Sequence, residues 1–168
     1  MLEMNGLISS HQLLVTNMQW KPNVTVAAIA ERDGCFLLVE ENADNHIVFN
    51  QPAGHLEKNE TLIQAIKREV LEETAWEFEP QSLIGVYLYP NPHVDIIYLR
   101  FCFYGVCNKH ISDRSLDGEI LRAVWMSKAE IESHRANMRS PMVLQCINDY
   151  LAGKRYPLDL LNHYISAG

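Results

Sequence analysis

Between Gly54 and Trp76 the chain places three carboxylates on the side of a helix where apolar residues should continue. Turning about 100° per residue from Leu62, Ala65, Ile66 and Val70 fall within one apolar sector. Glu69 and Glu73 project into the middle of that sector and Glu72 sits at its edge, while Lys67 and Arg68 lie on the flank. Neither Glu69 nor Glu73 has a basic partner on its own stripe. Neighbouring carboxylates about 6 Å apart repel by roughly 3 kcal/mol per pair at an effective dielectric of about 20. A divalent cation held by these oxygens removes that cost, and would also bind and activate a phosphate. The competing reading is a solvated Glu-rich helix supported by i,i+4 pairs of about 0.3–0.5 kcal/mol each. The inward direction of Glu69 and Glu73 argues against it.

The flanks fit the cation reading. Gly54 allows a tight turn and a close approach of backbone to a ligand. Arg68 is placed to orient a carboxylate through a bidentate contact. The whole stretch has the pattern G-x5-E-x7-R-E-V-x-E-E-x-A-W. That pattern resembles the signature box of the Nudix hydrolases, which carries glycine where Ala75 stands. In the family this glycine ends the catalytic helix, often in a left-handed conformation. Alanine adopts that conformation at a cost of about 1 kcal/mol.

Composition sets the outer limits. With 168 residues, 48% hydrophobic and 21% charged, the chain is long enough for one domain with a sizeable core. No apolar run reaches membrane-spanning length. The formal net charge of −7 disfavours a nucleic-acid backbone as partner. A polyanionic substrate must then be met by bound metal and a few arginines. Cys35, Cys102, Cys107 and Cys146 lack the spacing of a zinc site or a disulfide framework, which points to a reducing cytoplasm. The first twenty residues lack the features of a secretory signal and read as an extension of uncertain order.

Along the chain, Val24–Glu31 and Cys35–Glu41 read as strands joined at Asp33-Gly34, a hairpin dipeptide. Ile47–Asn50 reads as a short strand, and Thr61 to Thr74 as the acidic helix. Leu83–Tyr89 and Asp95–Val106 read as two strands kept apart by Pro90-Asn-Pro92, a loop that proline excludes from pairing. In the second, Ile97, Leu99, Phe101 and Phe103 make an apolar face, opposite a mixed face that includes Tyr98 and Arg100. After a further strand over Glu119–Met126, Ser127 and Glu130 form a capping box. Ser140-Pro141 supplies an N-cap and a first-turn proline for a helix ending near Gly153. Mixed hairpins and crossovers imply an α/β fold around a mixed sheet. The Nudix resemblance implies an α/β/α sandwich with a catalytic loop-helix-loop. The expected layout is an extension over 1–20, the hydrolase domain over 21–153 and a segment over 154–168 packed on it.

Further stretches resemble one phosphatase subgroup of the family: Lys21-Pro22, Asn50–Glu57, Leu99–Phe101, Arg139–Pro141 and Lys154–Leu158. That resemblance implies magnesium-dependent hydrolysis of nucleoside tri- and diphosphates and of thiamine-type pyrophosphates, including hydroxymethylpyrimidine pyrophosphate. The partner is then a small diphosphate, and the protein a monomer or homodimer. Mg²⁺, with Mn²⁺ as substitute, takes oxygen ligands and activates bound water. Glu69 and Glu73 are the best ligand pair, with Glu72 third or bridging; by analogy with the family, the Ala53 carbonyl completes the site. Glu57 is open between ligand and solvated loop charge, and Glu60 between site residue and a salt bridge to Arg68. The catalytic set expected is Glu72, Glu73, Arg68 and Glu119, the last as general base or else a solvated loop charge. His55 and His93 are weaker proton carriers. Arg100, Arg139 and Tyr89 are the substrate-binding candidates, against an internal salt bridge, helix capping and core packing respectively. An alternative enzyme reading keeps the machinery and acts on ADP-ribose or another nucleotide-sugar, on the strength of Pro90 and Pro92. A non-enzyme alternative is a silent Nudix-fold module that binds nucleotides.

Overall fold

The computed structural model of the chain describes residues 20–43, 46–92 and 94–164. The expected extension before Trp20 and the candidate His93 lie outside them. Seven strands and three α-helices follow in the order β1 (Asn23–Arg32), β2 (Cys35–Ala43), β3 (His46–Asn50), β4 (Ala53–His55), α1 (Leu62–Thr74), β5 (Trp76–Asn91), β6 (Ile96–His110), β7 (Ile120–Ser127), α2 (Lys128–Ser133) and α3 (Met142–Leu151) among the described residues. The sheet runs β3-β2-β1-β6-β5, with β4 joined to β1 and β7 to β2. It is mixed: β1 and β6 run parallel, and the other pairs are antiparallel.

The run Val26–Ala30 explains the layering. Its residues are all buried, which requires cover on both faces of the sheet. Val26, Ala28 and Ala30 meet Ala65, Ile66 and Val70 of α1, together with Leu37 and Phe103. Ala27 and Ile29 meet Ile131 of α2 and Val143, Leu144 and Ile147 of α3. The result is the expected α/β/α sandwich. The Asp33-Gly34 turn has positive φ at both residues, 52° and 78°, as a two-residue hairpin needs.

Two expectations need correction. β5 is one strand from Trp76, not from Leu83, and it carries Pro90, which pairs with Ile97. Proline is tolerated there because β5 is the edge of the sheet, where one side of the strand needs no donor. The mixed face of β6 is also covered in its middle, where Cys102 is fully buried in the cluster against α3. At the start of α3, Pro141 takes the cap position and the Ser140 hydroxyl makes no hydrogen bond. The capping box of Ser127 and Glu130 forms as expected. All four cysteines are free, and no helix among the described residues is long and apolar enough to cross a membrane. The C-terminal segment returns to the sheet edge, where Tyr156 exchanges two backbone hydrogen bonds with Leu83.

Candidate active site

Helix α1 is started by Thr61, whose hydroxyl accepts the Gln64 N–H while the Gln64 side chain accepts the Thr61 N–H. It ends at Ala75 in the left-handed region, φ 57°, with its N–H bonded to the Leu71 carbonyl. Between these caps, Glu69 and Glu73 are buried with Ala65, Ile66 and Val70. Strand β4 lies against this acidic face. The Ala53 N–H donates to Glu73 Oε2 at 2.8 Å. A Cβ on Gly54 would stand 2.1 Å from the Glu69 carboxylate, so any side chain there would push Glu69 out of its place.

Arg68 organises the other carboxylates. Its Nε and Nη2 hold both oxygens of Glu60, at 3.1 and 2.7 Å. Its Nη1 reaches Glu69 Oε1 at 2.7 Å and Glu72 Oε2 at 3.2 Å. The His55 carbonyl accepts a further bond from Nη2. The expectation that Glu69 lacks a basic partner is therefore corrected: a long arginine on the flank reaches across the helix surface to it. Bonding to Arg68 holds the Glu60 carboxyl below its ordinary range, and Glu60 in turn raises the Arg68 pKa.

Glu73 is the exception. Burial pushes its carboxyl up to about 9; the Ala53 N–H opposes the shift, and Glu69, Glu41 and Asp117 add to it. Burial also raises Glu69, against the pull of Arg68. Beside Glu73 opens a cavity of about 260 Å³ lined by Glu41, Asp117, Gly118, Glu119 and Ile120. The loop bearing Asp117 and Glu119 is tied there by two backbone bonds, Asp117 N–H to the Glu72 carbonyl and Asn42 N–H to the Glu119 carbonyl. Glu119 thus comes beside Glu73 across a long sequence gap. Glu41 and Asp117 were not singled out from the sequence. Their only signal is acidity at the end of an apolar strand and two residues before Glu119.

The remaining candidates scatter. Glu57 stands on the exposed rim, 4.0 Å from Arg68. The His55 ring is exposed and lies 6.3 Å from that of Tyr98. Tyr89 pairs with Tyr98 at the far end of the β5–β6 ribbon. Arg139 Nε lies 3.8 Å from Glu41 Oε1, and Arg100 on β6 also lowers the Glu41 pKa, which burial raises. Among the described residues no three His, Cys, Asp or Glu side chains are arranged to hold a metal ion. Arg68 occupies one oxygen each of Glu69 and Glu72. The donor chemistry still fits a hard divalent cation: carboxylates around a cavity and a buried Glu73 crowded by like charges.

Comparison with known proteins agrees with this geometry. A NUDIX domain profile matches residues 20–145. Phosphatase NudJ of Escherichia coli (strain K12) is 38% identical over 145 residues, covering 86% of this chain and 94% of that protein. The solved NUDIX hydrolase from Nitrosomonas europaea is 51% identical, covering 88% of this chain and 100% of that one, with a TM-score of 0.86. The NUDIX domain of Shewanella oneidensis NrtR, solved with ADP ribose, shares the fold at 16% identity and a TM-score of 0.66, over 80% of this chain and 90% of that one. An acidic helix face closed by β4, in a sandwich of this topology, places the chain in the Nudix hydrolase family, whose members act on phosphoanhydrides.

Proposed function

We propose that this hydrolase cleaves the phosphoanhydride bonds of nucleoside tri- and diphosphates and of thiamine-type pyrophosphates, hydroxymethylpyrimidine pyrophosphate included, and releases orthophosphate. The observation that carries the reading is the buried acidic face of α1 opening on a cavity lined by Glu41, Glu73, Asp117 and Glu119. The 38% identity to a protein named as a phosphatase supports the leaving group.

Glu69, Glu72 and Glu73, with the Ala53 carbonyl and Glu57 at the rim, are the groups that would hold Mg²⁺ or Mn²⁺. When bound, the ion supplies charge neutralisation of the diphosphate and an acidified water. Arg68 keeps Glu69 and Glu72 oriented through single oxygens and leaves the other oxygen of each outside those bonds. Glu119 shares the cavity with Glu73 and serves as the base that accepts the proton of the attacking water. Arg100 and Arg139 contact the phosphates, and Tyr89 serves as the aromatic candidate for the organic group.

A product-resolved screen tests the reading. Orthophosphate should appear from ADP and thiamine pyrophosphate in Mg²⁺; AMP release from ADP-ribose at a higher rate would move the protein to the nucleotide-sugar reading. Glu73→Gln should lower kcat by about 10²-fold or more while the protein stays folded. A folded Glu73→Gln variant with wild-type turnover would end the assignment of this carboxylate.

A further inference from the structure

The end of β2 carries a carboxylate that faces two environments of opposite sign. Glu41 lines the acidic cavity with Glu73, Asp117 and Glu119. It also lies in the fields of Arg139 and Arg100. Its side-chain hydrogen bond comes from Asn50, not from Arg139. Arg139 Nε stands 3.8 Å from Glu41 Oε1, beyond hydrogen-bond reach. Glu41 Oε1 is itself buried without a hydrogen-bond partner, as are Arg100 Nη1 and the hydroxyl of Ser140, the residue after Arg139. Leaving buried donors and acceptors unmade costs about 1–3 kcal/mol each.

The supports of these groups are rigid. Arg100 sits within β6, in register with Thr25 of β1 and Tyr87 of β5. The Arg139 N–H is bonded to the Phe49 carbonyl of β3 at 2.8 Å, so its backbone is pinned beside the sheet. Arg139 beside Glu41, the unbonded Nη1 of Arg100 and the unbonded Ser140 hydroxyl are under-used donors. A tetrahedral phosphate dianion, with three terminal oxygens, matches such a set better than a carboxylate does.

We propose that Arg100, Arg139 and Ser140 form a clamp for the free terminal phosphate of the substrate, and that Glu41 is the stand-in anion this phosphate displaces. The proposal rests on the hydrolase reading and narrows it. Substrates ending in a phosphate dianion are favoured over diphosphates capped at both ends, such as nucleotide-sugars. Glu41 acts as a positioning residue: it offsets part of the clamp's positive charge until a stronger anion arrives.

The test is binding in EDTA, which removes any contribution from metal, with inorganic phosphate, ADP and ADP-ribose as probes in calorimetry. Glu41→Gln should bind phosphate and ADP about tenfold more tightly, because the competing anion is gone. ADP-ribose affinity should change by less than about twofold. Adding Arg100→Met or Arg139→Met to Glu41→Gln should abolish the gain. Unchanged phosphate affinity in Glu41→Gln, or equal gains for ADP and ADP-ribose, would overturn the clamp. Should Arg100→Met fail to melt cooperatively, the half-exposed Arg139 decides alone. The two readings fail separately. Orthophosphate release in Mg²⁺ with phosphate binding indifferent to Glu41 and the arginines removes the clamp and leaves the hydrolase. Metal-free phosphate binding that follows the arginines, in a protein without turnover, does the reverse.

Discussion

Glu73 and Ala75 stand at the same end of α1, and both hold conformations or charge states that an isolated helix would not choose. Glu73 is 8% exposed and has one backbone donor for a carboxylate that can accept several. Ala75 is buried in the left-handed region, φ 57°, where its Cβ crowds the chain. Glycine there relieves about 1–2 kcal/mol of strain and loses about 0.4–1 kcal/mol through the freer unfolded chain. Ala75→Gly should therefore stabilise the protein by roughly 0.5–1 kcal/mol and raise Tm by about 2 °C. Thermal denaturation decides it, and a lower Tm would show that the strain is absorbed elsewhere. The opposite case is Gly54, where a side chain would have to displace the Glu69 carboxylate. Both positions were readable in the sequence: Gly54 matches the family's box and Ala75 departs from it.

At the scale of elements, α1 is held by its caps, by its apolar stripe and by one arginine. Arg68 satisfies Glu60, Glu69 and Glu72 at once, in surroundings that leave these side chains mostly out of water. Removing it leaves three carboxylates without their cation. Arg68→Met should destabilise the metal-free protein by about 2–4 kcal/mol, and Mg²⁺ should restore more stability to the variant than it adds to wild type. Urea denaturation with and without Mg²⁺ checks this; equal Mg²⁺ effects in both proteins would show that Arg68 and the cation do not share ligands. The helix itself, its N-terminal limit and the capping box of α2 were legible because each rests on contacts a few residues apart. The length of β5 was not. Pro80 and Pro90 are strand breakers in general, and only an edge position lets them stay in the ladder.

For the whole molecule, the site is an assembly of β2, β4, α1 and the loop before β7, and the cost of assembling it is electrostatic. Glu41, Glu69 and Glu73 all have carboxyls raised by burial. A raised folded-state pKa gives stability that is complete below the unfolded value and is lost as pH rises through the folded one. For Glu73 that window runs from 4.5 to about 9. Metal-free protein should therefore melt at progressively lower temperature between about pH 5.5 and about pH 8.5, and Glu73→Gln should reduce that slope. Mg²⁺ should flatten it further, since a bound cation favours the ionised form. Parallel slopes for wild type and Glu73→Gln in EDTA would place the burden on other groups.

The sequence alone determined the acidic helix, its glycine approach, the strand character of β1 and the hairpin at Asp33-Gly34. Each depends on spacing within one turn, one strand or one loop, which the order of residues states directly. Only the tertiary structure decided that Glu41 and Asp117 join Glu73 and Glu119 around one cavity, that Arg68 reaches Glu69, and that Arg100 and Arg139 approach the same carboxylate. Those neighbours come from distant segments, and strand pairing and loop closure set which of them meet; no local period encodes that.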